Sequence, residues 1–145
     1  MLGRKNYAAE EIDQAKGALD RQVSADDQLI DAISGVAEEP KVKAACESFE
    51  SQFFNNLTLF LYRYLVHRLP GADFEGKDGN PLNEVRIVCD SLITNKGKLR
   101  ADKQIKLAPE RSVLKLKVGD SISLTETGFD RLTRAFLPEL KRRFS

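Results

Sequence analysis

Between Phe53 and Val66 the chain reads FFNNLTLFLYRYLV. Wound as a helix, this stretch places apolar residues on every side rather than along one stripe, the pattern of a central helix packed all round. It does not read as a membrane span. A span needs about 20 consecutive apolar residues, and Asn55, Asn56, Thr58 and Arg63 interrupt this one. The expectation is a body wrapped around one buried helix.

Flanking segments supply the wrapping. Ile12, Ala15 or Lys16, Leu19, Val23, Asp26, Ile30 and Ile33 recur at three- and four-residue steps, predicting a helix over 8–33 with a narrow apolar seam and one polar break at Asp26. Glu10, Glu11 and Asp13 favour its amino end through the helix dipole, and Ser34-Gly35 ends it. Pro40 suits the first turn of a second helix, which carries Val42, Ala45, Cys46, Phe49, Phe53, Leu57, Phe60, Tyr64 and His67 and stops before Pro70-Gly71. Asn80-Pro81 reads as a cap and first residue of a third helix over 81–94, with Gly97 placed for a left-handed stop.

Beyond Gly97 the apolar period changes from 3.6 to 2. Ile105 and Leu107 alternate with polar residues, as do Leu114, Leu116 and Val118, then Ile122 and Leu124. With Val118-Gly119-Asp120 as a tight connection, residues 112–124 are predicted to form a β-hairpin. Thr125 can cap a last helix striped with Phe129, Leu132, Phe136, Leu140 and Phe144, which Pro138 should bend or split. The predicted fold is a single α+β domain: a helical part over 1–97, then the hairpin and carboxy-terminal helix over 98–145.

A chain of 145 residues with 41% hydrophobic content has enough core to stand without disulfide or metal. Cys46 and Cys89 each sit among apolar residues, the setting of structural thiols in a reducing compartment. The start, MLGRKNYAAEE, lacks the apolar core of a signal peptide, so a cytoplasmic location is expected. Charge is uneven. Residues 1–51 hold 6 Lys/Arg against 11 Asp/Glu, whereas residues 96–117 hold 8 against 2. Such asymmetry can mark a polyanion site; mutual docking of the two halves is the plainer reading.

Candidate sites are few. His67 and Cys46 lie 21 residues apart on one predicted helix, about 31 Å along its axis, so they cannot form a nucleophile–base pair. With Asp73 at the first position of a calcium loop, Glu84 falls at the twelfth. Lys77 and Asp78 then occupy ligand and turn-glycine positions, and the match fails. One histidine and two dispersed cysteines make no zinc set. No metal and no cofactor is expected. Arg63 either pairs with Glu84 or Asp90 on the next helix or lies at a cleft. Arg63, His67, Asn80, Asn83 and Arg86 are the residues around which a small ligand could be held, Asn80 through the free N–H groups of a helix start. Lys103, Lys106, Arg111, Lys115 and Lys117 could contact phosphates from the hairpin. No aromatic residue between Gly97 and Thr127 offers a stacking platform, so nucleic acid is disfavoured.

The runs FFNNLTLFLYRYLVHRL, GKDGNPLNEVRIVCDSL and SVLKLKVGDSISLTETGF, with Asp78 to Arg86 the most distinctive, resemble a family of small conserved actinobacterial proteins of unknown function. The resemblance covers nearly the whole chain. It implies a cytoplasmic bacterial protein and supplies no catalytic or cofactor residues. The leading expectation is therefore a non-enzymatic binding or scaffolding protein that self-associates as a homo-oligomer through its first or second helix or meets another protein partner, without membrane contact. Polyanion binding by residues 98–117 is the alternative, and an enzyme with a site near Arg63 and His67 the further one.

Overall fold

The computed structural model describes residues 9–65, 78–102, 105, 107 and 110–144. Four helices carry the fold: α1 (Ala9–Ala32), α2 (Pro40–Leu65), α3 (Pro81–Thr94) and α4 (Glu126–Phe144), with one 3₁₀ turn at Ser34–Val36. Both α1 and α3 pack against α2 and α4, which also touch each other. The architecture among the described residues is all-α, not α+β.

The helix ends follow the local chemistry. Asn80 caps α3 by accepting from the backbone N–H groups of Leu82 and Asn83, while the Asn83 side chain accepts from those of Gly79 and Asn80. Four donors at the helix start are thereby satisfied. Gly97 takes a positive φ of 76° and its N–H reaches the Ser91 carbonyl, closing the other end as expected. Thr125 caps α4 through a bond from the Gly128 N–H to its hydroxyl. Pro138 does not split α4. Its exposed ring leaves the Arg134 carbonyl without its usual partner, while buried Phe136, Leu137 and Leu140 anchor the helix on either side.

Two expectations fail in the core. The Phe53–Val66 stretch is not enclosed on all sides. Phe54, Leu57, Thr58 and Leu61 are buried, but Asn56 and Arg63 are exposed and Phe60 is 36% exposed. Phe53 and Tyr62, partly buried against the core, widen one face instead of encircling the helix. The enclosed helix is α3, where Leu82, Asn83, Glu84, Val85, Ile87, Val88, Cys89 and Ser91 are all buried. Burial of each large core side chain, such as Phe54, Leu82, Leu132 or Phe136, contributes about 1.5–3 kcal/mol.

The predicted hairpin over 112–124 is also absent; one isolated antiparallel bridge, Lys98 with Ser121, is the sum of β pairing among the described residues. Residues 119–122 bond to the backbone of residues 97–99, and side chains from the helices hold the stretches on either side. The buried Glu84 carboxylate accepts from the Ser112 hydroxyl and from the N–H groups of Val113 and Leu114, at 2.8–2.9 Å. The Asn55 amide donates to the Ile122 carbonyl and accepts from the Leu124 N–H. Ile122 and Leu124 are buried, while Ser121, Ser123 and Thr125 face solvent. An extended segment lying on helices thus buries alternate side chains, as a strand does, without belonging to a sheet.

Candidate functional site: a carboxylate layer beside the α1/α4 groove

The residues singled out from sequence do not assemble into one site. Asn80 and Asn83 are occupied in capping α3. Arg86 is half-buried on the same helix and Arg63 is exposed on α2. The Glu84 carboxylate is engaged by residues 112–114, which leaves it neither for Arg63 nor as a loop ligand. Among the basic residues, the Arg111 guanidinium donates to the Asp78 carbonyl, and the Lys115 ammonium to that of Glu110. Lys115 sits at φ 59°, so with exposed Lys117 it belongs to a folded loop rather than to one strand face. His67, Lys103 and Lys106 lie outside the described residues, as do residues 73–77 of the calcium-like loop. Cys46 and Cys89 are free thiols; burial pushes the Cys89 thiol far up, and it donates to the Thr58 carbonyl.

Instead, the structure gathers acidic side chains of which only Asp26 stands out in the sequence, as a break in an apolar seam. On α1, Asp26 continues the stripe of Ile12, Leu19 and Val23 inward. On α2, Glu50 precedes Phe54, Leu57 and Leu61 on the core-facing side, and on α4 Glu126 precedes Phe129, Thr133 and Phe136. Three helices therefore bring carboxylates together at the edge of the core, buried at Asp26, partly exposed at Glu50 and Glu126, with exposed Asp27 alongside. Carboxylate oxygens of Asp26, Asp27 and Glu126 lie within 4.8 Å of one another. Asp26 is 3% exposed, and neither of its oxygens receives a hydrogen bond.

Electrostatics follow from this crowding. Burial, then the contact with Asp26, pushes the Glu50 carboxyl up to about 7. The contact with Asp27, then burial, does the same for Glu126, also to about 7. Ionised carboxylates can only accept, so either contact becomes a hydrogen bond when one member carries a proton.

The layer adjoins a groove of about 730 Å³ between α1 and α4, to which Glu126 contributes. Its floor is apolar, with Leu19, Val23, Phe129 and Leu137 among the residues, and its rim is charged. The rim charges pair with each other: Lys16 with Asp20 at 2.7 Å, Arg134 with Asp130 at 2.9 Å and Lys141 with Asp13 at 2.6 Å. These pairs leave the carboxylate layer as the concentration of charge that no basic side chain offsets among the interactions of its members.

A pH response follows, with an unusual sign. Glu50 and Glu126 titrate higher in the folded chain than in the unfolded one, so the folded state holds more protons between the two values. Stability is then greatest below the unfolded carboxylate pKa and is lost as pH rises through about 7. Asp78 and Glu139 act oppositely. The Asn80 amide and the Arg142 guanidinium, respectively, hold their carboxyls below the usual range, and their stabilisation disappears only in acid. Chelator-treated protein should lose about 1–2 kcal/mol between about pH 5 and pH 8, after discount for partial exposure. In differential scanning calorimetry that is a Tm fall of roughly 3–8 °C. A His67→Gln background removes the one histidine that ordinarily titrates in this range; a flat or rising Tm there would contradict the crowding.

No helix among the described residues is long and apolar enough to cross a membrane. In comparisons with known proteins, no family model, no curated protein and no solved structure matches this chain.

Proposed function

We propose that this chain is a non-enzymatic binding protein of the bacterial cytoplasm that self-associates through the end of α1 and the start of α2. The observation that carries this reading is a run of uncovered apolar side chains on that helix pair. Leu29 is 47% exposed, Val36 42% and Phe49 45%. With Ile33 and Val42 they line or flank a shallow cleft of about 360 Å³. Large aliphatic and aromatic groups concentrated in one place favour a protein interface over solvent. Phe49 is already stacked on Phe53, with ring centroids 5.5 Å apart, so little side-chain freedom would be lost on association.

A second copy is a fitting occupant because the face is self-complementary in charge. Asp31 is exposed near the end of α1, and Lys41 and Lys43 are exposed at the start of α2. A two-fold pairing of this face with its own image brings the acidic and basic stretches together. Two free thiols, one of them buried, accord with a reducing compartment. The Cys89 thiol, protonated and bonded to a backbone carbonyl, is unsuited to nucleophilic work.

Sedimentation velocity tests the reading. Wild-type protein should form a dimer at micromolar concentration. Phe49→Glu with Leu29→Glu should weaken the dimer by 100-fold or more, since central aromatic anchors commonly carry over 2 kcal/mol each, while far-ultraviolet circular dichroism stays unchanged. A wild-type monomer, or a dimer indifferent to both substitutions, would reject it.

A further inference from the structure

The carboxylate layer poses a problem of charge that the fold alone does not solve. Asp26, Glu50 and Glu126 each occupy a place where an apolar residue would extend a buried stripe. An ionised carboxylate removed from water without a partner is strongly unfavourable. Asp26 is 3% exposed, and neither of its oxygens receives a hydrogen bond. One of its oxygens lies within 4.8 Å of a carboxylate oxygen of Asp27 on α1 and of Glu126 on α4. Carboxylates do not attract one another. What fits among them is a positive charge small enough to sit between oxygens.

We propose that Asp26, Asp27 and Glu126, with Glu50 beside them, form a binding site for a calcium-sized divalent cation. The donor set decides the class of ion. Oxygen ligands without sulfur or imidazole suit hard cations. Spacing decides the size. Calcium holds its oxygens at about 2.3–2.6 Å, so ligands on opposite sides of one ion stand about 4.6–5.2 Å apart; magnesium, at about 2.0–2.1 Å, brings them to about 4.2 Å. Oxygens that already lie within 4.8 Å of one another can close on a calcium-sized ion without moving a helix. Carboxylates can bind in mono- or bidentate fashion, so three or four of them, completed by water, reach the six to eight oxygens that calcium takes.

The layer also has the architecture such a site needs. Bundles build ion sites from acidic side chains on facing helices; here α1 supplies buried Asp26 and exposed Asp27, and α4 supplies Glu126 from the solvent side. The nearby basic side chains of the groove, Lys16, Arg134 and Lys141, are each held by another carboxylate. An ion in this place ties α1 to α4 and offsets the negative charge gathered between them. The cation would therefore bind the folded chain and stabilise it.

The test uses the full chain, freed of metal by chelator and titrated with CaCl2 by isothermal calorimetry and by thermal unfolding. One ion should bind per chain in a saturable isotherm, and CaCl2 at 100-fold excess over Kd should raise Tm by roughly 5–10 °C. MgCl2 should bind at least tenfold more weakly; equal affinity would overturn the size assignment. NaCl at matched ionic strength should give no comparable rise, and an equal rise would mean general screening and overturn the site. Asp26→Asn and Glu126→Gln should each weaken calcium binding tenfold or more while remaining folded in chelator by circular dichroism. Glu47→Gln, an exposed acid on α2 outside the layer, should leave the isotherm unchanged. Absence of a saturable wild-type isotherm, or calcium affinity unaltered in both layer variants, would overturn the proposal.

Discussion

Glu84→Ala should lower unfolding free energy by about 3–5 kcal/mol, one of the largest losses available to a single substitution in this chain. Glu84 is 1% exposed, and its two oxygens hold the Ser112 hydroxyl and the backbone N–H groups of Val113 and Leu114. Removal leaves three donors without an acceptor in a place water reaches poorly, each costing about 1–3 kcal/mol, with partial relief as the loop relaxes. Urea unfolding is the appropriate measurement: the midpoint should fall with little change in slope. Glu84→Gln separates charge from shape. It keeps one acceptor but turns an NH2 group towards a donor, so it should recover less than half of the loss. A drop below about 1 kcal/mol for the alanine variant would mean that the carboxylate does not hold residues 112–114 in solution.

The second large effect has the opposite sign. Asp26→Leu should stabilise the chelator-treated protein by about 1–3 kcal/mol, because a buried carboxylate without a hydrogen-bond donor leaves the core and an apolar group joins Leu19 and Val23 on the same stripe. Exchange of buried ionic groups for well-packed hydrophobes is often neutral or favourable to this extent. The comparison is most telling with calcium present. Wild type gains from the ion and the leucine variant does not, so the ranking of the two in calorimetric Tm should narrow or invert. Destabilisation in chelator would show that Asp26 has compensating partners in solution.

Much of the helical framework was legible. The three- and four-residue steps of Ile12, Leu19 and Val23 led to a helix over 8–33, against Ala9–Ala32 observed, and Asn80-Pro81 with Gly97 bounded the third helix at Pro81–Thr94 as found. These signals are local: a cap, a proline at the first turn and a glycine past the end act on neighbouring backbone groups. The β-hairpin was misread because period-two burial reports an extended chain over an apolar surface and is silent on what satisfies its N–H and carbonyl groups. Here Glu84 and Asn55 satisfy them from 28–30 and 67–69 residues away, and no local pattern encodes such a contact. The same blindness hid the carboxylate layer. Asp26 was visible as a flaw in one seam, whereas its meeting with Glu50 and Glu126 depends on how three helices align.

The two polar clamps also set an order of assembly. Glu84 and Asn55 are useful acceptors and donors only once α3 and α2 have brought them to a dry surface, so residues 112–114 and 122–124 lack these partners while those helices are unformed. Closure of the long loops involved is entropically unfavourable, and α4 follows the clamped stretch directly in sequence. Docking of α4 against α3 is therefore the natural late event in folding.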